Sequence, residues 1–224
     1  MASLKEVKGR IASVNNTRKI TSAMKMVASA KLHQAQAGIE NMLPYERRLN
    51  HILTNFLSAD SEVESPFIVK REVKRVAIVV FASNTSLCGG FNANIIRHLT
   101  VILDEYKSLG MENVLLYPVG RKVAEGVKKL GFKAEGDFQH MADKPSYQEA
   151  AALAEDLMSR FLHRDKDKVE LLYNHFRSTA VQVLTRETYL PIDLTQEKKE
   201  EDKGRLPDYI VEPSVHVVMG EFLP

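Results

Sequence analysis

The sequence predicts a mixed α/β domain with a largely parallel sheet, preceded by one long helix. Three observations predict this. Residues 10–37 contain no Gly and no Pro and are dominated by Ala, Lys, Met, Gln and Ser, most of them strong helix formers. From Lys74 onward, β-branched runs alternate with amphipathic stretches, the pattern of a parallel sheet with helical crossovers. The charge divides at the same place: residues 1–58 hold nine Lys/Arg against three Asp/Glu, a net of +6, and residues 59–224 hold 22 against 26, a net of −4. A basic segment followed by a mildly acidic one indicates two physical units with different partners.

The helix comes first. Leu4, Val7, Ile11 and Val14 recur at +3, +4, +3. Ile20, Met24 and Val27 continue with the phase shifted, followed by Ala28, Leu32, Ala35, Ile39 and Met42. This is a coiled-coil-like stripe with a phase slip. It is narrow and rich in small residues, so a partner helix should approach closely. Pro44 is expected to interrupt or kink the helix, and Leu49, Ile52, Leu53, Phe56 and Leu57 resume the apolar pattern after it. The reading is one helix over residues 3–57, bent near Gly38 or Pro44. At 1.5 Å per residue it would be about 80 Å long, more than a compact domain of this size needs. Residues 59–73, polar and containing Pro66, read as a linker.

The α/β domain is placed at residues 74–213. Residues 75–83 (RVAIVVFAS) form a β-branched run suited to a strand buried on both faces. Gly89-Gly90 makes a turn, and residues 92–109 an amphipathic helix. Residues 114–119 are a second strand. Residues 122–130 are a helix stopped by Gly131, and residues 132–134 begin a short third strand. Ser146 opens a helix with Glu149 three residues on, a capping box, and this helix runs to about His163. Residues 169–176 and 181–189 are strands separated by a turn at Arg177-Ser178, expected to pair as an antiparallel hairpin. Residues 195–205 (TQEKKEEDKGR) read as a solvated loop and residues 209–211 as an edge strand.

Composition excludes several classes. The chain has 224 residues, with 44% apolar and 27% charged, enough to bury a core and unlike a disordered chain. Cys88 is its only cysteine, so neither a disulfide framework nor a multi-thiolate metal site is available. The longest apolar run is residues 76–82, far short of the about 20 residues a membrane-spanning helix needs. The N-terminus carries Lys5, Glu6, Lys8 and Arg10 without an apolar core, unlike a secretory signal. The chain is expected to stay in a reducing compartment and to meet a membrane only through partners.

Residues capable of chemistry are few. Cys88 lies in Ser86-Leu87-Cys88-Gly89-Gly90 after the first strand. As a nucleophile or anion site it would exploit backbone N–H groups at a helix start. As a structural thiol it would sit beside a tight turn, and that reading is preferred. There is no Gly-x-Gly-x-x-Gly and no Gly-Lys-Ser/Thr, the usual phosphate loops. None of the seven histidines lies three or four residues from another, so no helical metal pair exists. His163-Arg164-Asp165 matches a fragment of a kinase catalytic loop by chance, since the rest of that machinery is missing. Seven basic residues against one acidic residue in 1–39 would suit phosphates. They would equally suit an acidic protein surface, and no aromatic residue in that segment could stack on bases.

The stretch IASVNNTRKITSAMKMVASAK, residues 11–31, closely resembles the N-terminal helix of the gamma subunit of F-type ATP synthase. Leu87-Cys88-Gly89-Gly90-Phe91-Asn92, Glu212-Pro213 and Leu223-Pro224 extend the resemblance to the end of the chain. It implies a Rossmann-like three-layer α/β domain with a mostly parallel sheet, plus a long N-terminal coiled-coil helix. It also implies the central shaft of a rotary motor, which couples ion-driven rotation to conformational change in the catalytic beta subunits and performs no bond chemistry. The N-terminal helix would form half of a coiled coil inside a ring of alpha and beta subunits. The α/β domain would form a foot contacting the epsilon subunit and the membrane c-ring. Arg18, Lys19, Met24, Lys25 and Lys31 are the implied contacts to an acidic loop of beta. Cys88, Gly89, Gly90 and Asn92 are the implied structural turn.

The resemblance implies no catalytic residue, no cofactor and no metal, and a peripheral place on the cytoplasmic face of a bacterial inner membrane. Two departures stand out. Asn84-Thr85-Ser86 replaces the family's usual Asp-Arg-Gly, which puts a family turn or ion pair in question. The family's C-terminal helix would begin at residues 214–224, so the sequence is expected to be a fragment of a longer chain. The alternatives are a small-ligand-binding α/β enzyme using the glycine turn and a nucleic-acid-binding coiled-coil protein.

Overall fold

The computed structural model describes residues 3–59 and 65–192. The chain divides into two compact units, residues 1–59 and 60–224. The expected loop at 195–205, edge strand at 209–211 and helix start at 214–224 lie outside the described residues.

The first unit is a single helix, α1 (Leu4–Ala59), of 56 residues. It is continuous across Gly38 and Pro44, as the reading of one helix over residues 3–57 expects, and Pro44 does not interrupt it. A proline removes one intrahelical hydrogen bond and leaves the carbonyl four residues earlier without its donor. That residue is Glu40, which is solvent-exposed, so water can serve the carbonyl. Thr17 and Thr21 donate their hydroxyls back to the carbonyls of Ser13 and Thr17, both at 3.0 Å. Arg10 pairs with Glu6 at 2.7 Å across one turn.

The second unit is a four-stranded sheet with helices on both faces. Its elements are β1 (Val76–Phe81), α2 (Phe91–Glu105), β2 (Val114–Val119), α3 (Arg121–Lys129), α4 (Gln139–Asp143), α5 (Tyr147–Leu162), β3 (Lys168–Phe176) and β4 (Gln182–Leu190). The strand order is β2-β1-β3-β4. β1 lies parallel to both β2 and β3, and β4 returns antiparallel along β3. The last pair is the hairpin expected from the short connection.

The pleat explains why β1 is apolar throughout. Val76, Ile78 and Val80 point to a core shared with Ile95, Leu99 and Ile102 of α2 and Val123 and Val127 of α3. Ala77 and Val79 point to the opposite core, against Leu153, Leu157 and Phe161 of α5. A strand covered on both faces has no solvent side to alternate with. The turn from β2 into α3 passes very close to the end of β1. Gly120 has φ +111°, and a Cβ there would stand 2.2 Å from the carbonyl oxygen of Ala82, so only glycine fits.

Several elements differ from the sequence reading. The second helix ends at Glu105 and continues only as 3₁₀ turns at Lys107–Leu109 and Met111–Asn113. Gly110, at φ +85°, separates the two turns. The expected third strand at 132–134 reduces to one parallel bridge, Ala134 to Leu116. The short helix α4 was not foreseen, because five residues are too few to show a period. The stretch read as a linker is partly packed. Phe67 is buried and stacks on Phe161 with ring centroids 6.3 Å apart, and Arg71 lies 4.1 Å above the same ring. An aromatic side chain beside an open apolar face gains more from burial than from solvent.

Candidate functional site

Arg18, Lys19, Met24, Lys25 and Lys31 are all solvent-exposed on α1. Helical spacing brings only some of them together. At about 100° per residue, Arg18 and Lys25 share one side, Met24 and Lys31 share another, and Lys19 lies apart from both. The four cations have no acidic partner among the described residues; the acids on the first 40 residues are Glu6 and Glu40, and Glu6 is engaged by Arg10. Leu4, Ile11, Val14, Ile20, Met24 and Val27 are exposed as well. The helix thus presents free cations and apolar side chains on several sides.

Cys88, Gly89, Gly90 and Asn92 come together in one turn between β1 and α2. Asn92 is buried in the first turn of α2 and faces backward. Its Oδ1 accepts the backbone N–H of Ser83 at 3.0 Å. Its Nδ2 donates to the carbonyl of Thr85 at 2.9 Å and to Cys88 Sγ at 3.1 Å. One amide therefore pairs the Ser83 N–H beyond the end of β1 and joins the Ser83 hydroxyl, at 2.8 Å, on the Thr85 carbonyl. Gly89 takes φ +56°, the left-handed conformation that closes the loop. The Cys88 thiol is part of this internal network, with no base or carboxylate among its hydrogen-bond partners.

At the departure in 84–86, Asn84 makes contacts of its own. Its Oδ1 accepts the backbone N–H of Arg121 at 2.7 Å, at the start of α3. Its Nδ2 donates to the carbonyl of Gln139 at 2.8 Å, at the start of α4. An amide can accept and donate at once, whereas an ionised carboxylate only accepts. Asn84 therefore ties the end of β1 to two helix starts.

Two charged clusters were missed by the sequence reading. Glu170 is buried in β3 and meets Lys168 at 2.6 Å, Arg186 at 3.0 Å and the Tyr106 hydroxyl at 2.9 Å. Arg186 also reaches Glu105 at 2.6 Å, which fastens β4 to the end of α2. The available signal was a glutamate, Glu170, inside the strand read at residues 169–176. In the second cluster the buried Tyr117 hydroxyl donates to Asp156 at 2.7 Å. Burial, and then the Asp156 carboxylate, push the Tyr117 phenol well above its ordinary range. Arg160 joins Asp156 to Glu135. Among the described residues, no three His, Cys, Asp or Glu side chains are placed to hold a metal ion, and no helix is long and apolar enough to cross a membrane.

The class defined here is an α/β protein with a long helix whose charged and apolar sides are open to partners. A profile of the ATP synthase family matches residues 3–224. The ATP synthase gamma chain of Phocaeicola vulgatus is 97% identical over 224 residues, covering all of this chain and 78% of its own length. That of Bacteroides fragilis is 62% identical over 225 residues with the same coverage. The chain belongs to the ATP synthase gamma chain family. The central stalk of the Tetrahymena thermophila mitochondrial ATP synthase shares the fold, with a TM-score of 0.55 at 20% identity over 91% of this chain and 85% of that one. The rotor of the Euglena gracilis mitochondrial enzyme gives 0.51 at 18% identity over 96% and 74%. None of these likenesses supports the small-ligand enzyme or the nucleic-acid reading.

Proposed function

We propose that the chain is the central rotor shaft of a bacterial F-type ATP synthase and couples ion-driven rotation to conformational change in the catalytic beta subunits. The observation that carries this reading is α1, a 56-residue helix with unpaired cations and exposed apolar residues on several sides, in a chain 97% identical to a gamma chain. Residues 1–58 supply half of the shaft inside the ring of alpha and beta subunits, and Arg18, Lys19, Met24, Lys25 and Lys31 meet an acidic loop of beta. Residues 74–213 form the foot that meets the epsilon subunit and the c-ring on the cytoplasmic face of the inner membrane. The chain itself breaks no bond. The ring hydrolyses or makes ATP, and the shaft transmits the movement.

The physical chemistry suits transmission. Exposed ion pairs contribute about 0–1 kcal/mol each. Single contacts between α1 cations and carboxylates of the ring can therefore form and release as the shaft turns. Many of them together fix an angle, and none holds it permanently. The α/β unit is suited to the opposite task, since buried cores on both faces of its sheet let it move as one body.

The test is made in the source cell. An antibody against the α/β unit captures its antigen from solubilised membranes, and the eluate is assayed for ATPase activity and subunit content. Co-capture of an active ATPase with alpha and beta subunits is the expected result. An antigen recovered free of any ATPase would overturn the assignment.

A further inference from the structure

A pocket of about 380 Å³ opens on the α/β unit between β2, the segment leading into α4, and α5. Its floor is apolar and aromatic, with Met141 and Leu153 beside the rings of Tyr117 and Phe138, whose centroids are 6.1 Å apart. Its rim carries the carboxylates of Glu135, Asp137, Glu149 and Asp156. Arg160 accounts for two of these, at 3.1 Å from Glu135 and 3.0 Å from Asp156. Among the described residues, Asp137 accepts only the backbone N–H of Gln139, at 3.1 Å. The Glu149 carboxylate has, among the described residues, only the exposed imidazole of His140, at 3.3 Å.

We propose that this pocket receives a lysine or arginine side chain from a partner subunit. The proposal rests on the reading that the chain works inside a multi-subunit assembly. The volume admits a long side chain rather than a folded element. The floor suits a methylene stem and the rim suits its charged end, the way amphipathic cations divide themselves between apolar and polar surroundings. The aromatic faces add attraction for a cation. Asp137 and Glu149 supply the charge that Arg160 leaves uncompensated, and complementary charge of this kind fixes register and orientation between partners. Arg160 already shows that a guanidinium fits between carboxylates at this corner. An acidic or neutral occupant would leave the rim charge unanswered.

The test is carboxylate labelling with carbodiimide and glycine ethyl ester, read by mass spectrometry, on the purified complex and on the isolated chain. Asp137 and Glu149 should label several-fold less in the complex at low salt, and raising the salt should abolish the difference. Equal labelling in a complex that contains the chain would overturn the inference, as would protection indifferent to salt, which points to an apolar occupant. A complex lacking the chain would overturn the functional reading itself. Both side chains are exposed, and Asp137→Asn with Glu149→Gln removes both charges while keeping an acceptor for the Gln139 N–H. That variant should release a partner subunit at lower salt than the wild type; unchanged retention would contradict the proposal.

Discussion

α1 and the α/β unit obey opposite rules. In the α/β unit nearly every apolar residue of β1 is fully buried, and the buried glutamate of β3 has three partners. On α1 most apolar residues of the N-terminal half stand in solvent, and Arg18, Lys19, Lys25 and Lys31 have no acidic partner among the described residues. One region has satisfied its own chemistry and the other has left its chemistry open. Stability therefore resides in the α/β unit, and the capacity for contact resides in α1. Substitutions should sort accordingly.

The largest effect is expected at Gly120. A Cβ would collide with the Ala82 carbonyl at 2.2 Å in a backbone conformation closed to other residues. Gly120→Val should destabilise the α/β unit by about 4 kcal/mol, combining strain and overpacking, as read by denaturant unfolding. Glu170→Ala comes next. It removes the anion that Lys168 and Arg186 share. Breaking a buried ion pair costs about 3–5 kcal/mol, and the lower end applies because both cations keep some access to water. Asn92→Ala leaves the Ser83 N–H without its partner and removes one of the donors to the Thr85 carbonyl, and should cost about 2 kcal/mol. A loss below experimental error would show that the turn holds without it.

Alkali offers a gentler perturbation. The folded Tyr117 phenol titrates above its ordinary value of 10.0, chiefly because it is buried. In the unfolded chain it ionises first, so the contribution to stability is fully present below that pH and falls as the pH rises past it. Tyr117→Phe should flatten that decline in a series of unfolding curves; an unchanged decline would assign it to other groups. The smallest effect is expected on α1. Lys25→Glu should shift unfolding by less than about 0.5 kcal/mol, the usual range for an exposed substitution, while impairing ATP-driven turnover of the assembled complex. A large loss of stability would contradict the division between the two units.

Legibility in the sequence followed the same division. Long periodic segments were readable, because α1, β1, α2, α5 and the β3–β4 hairpin each carry a period or a cap. Ser146 does accept the Glu149 N–H at 3.3 Å, while the Glu149 carboxylate lies by His140 instead of closing the box. Short elements and interactions distant in sequence were not readable. α4 has five residues, and the strand expected at 132–134 finds only one bridge on β2. Phe67 lies 94 positions from the ring it stacks on, so its burial could not be inferred from its polar neighbours. The contact residues proposed on α1 rest on resemblance rather than pattern, and helix geometry distributes them around the helix.

The measurement that bears most directly on the central claim is single-molecule rotation. The complex is immobilised through its beta subunits, a bead is attached to the α/β unit of the full chain, and ATP is added. The account predicts stepwise rotation of the bead in one direction, with turnover and rotation failing together when α1 cations are reversed. A stationary bead on a complex that continues to hydrolyse ATP would contradict it.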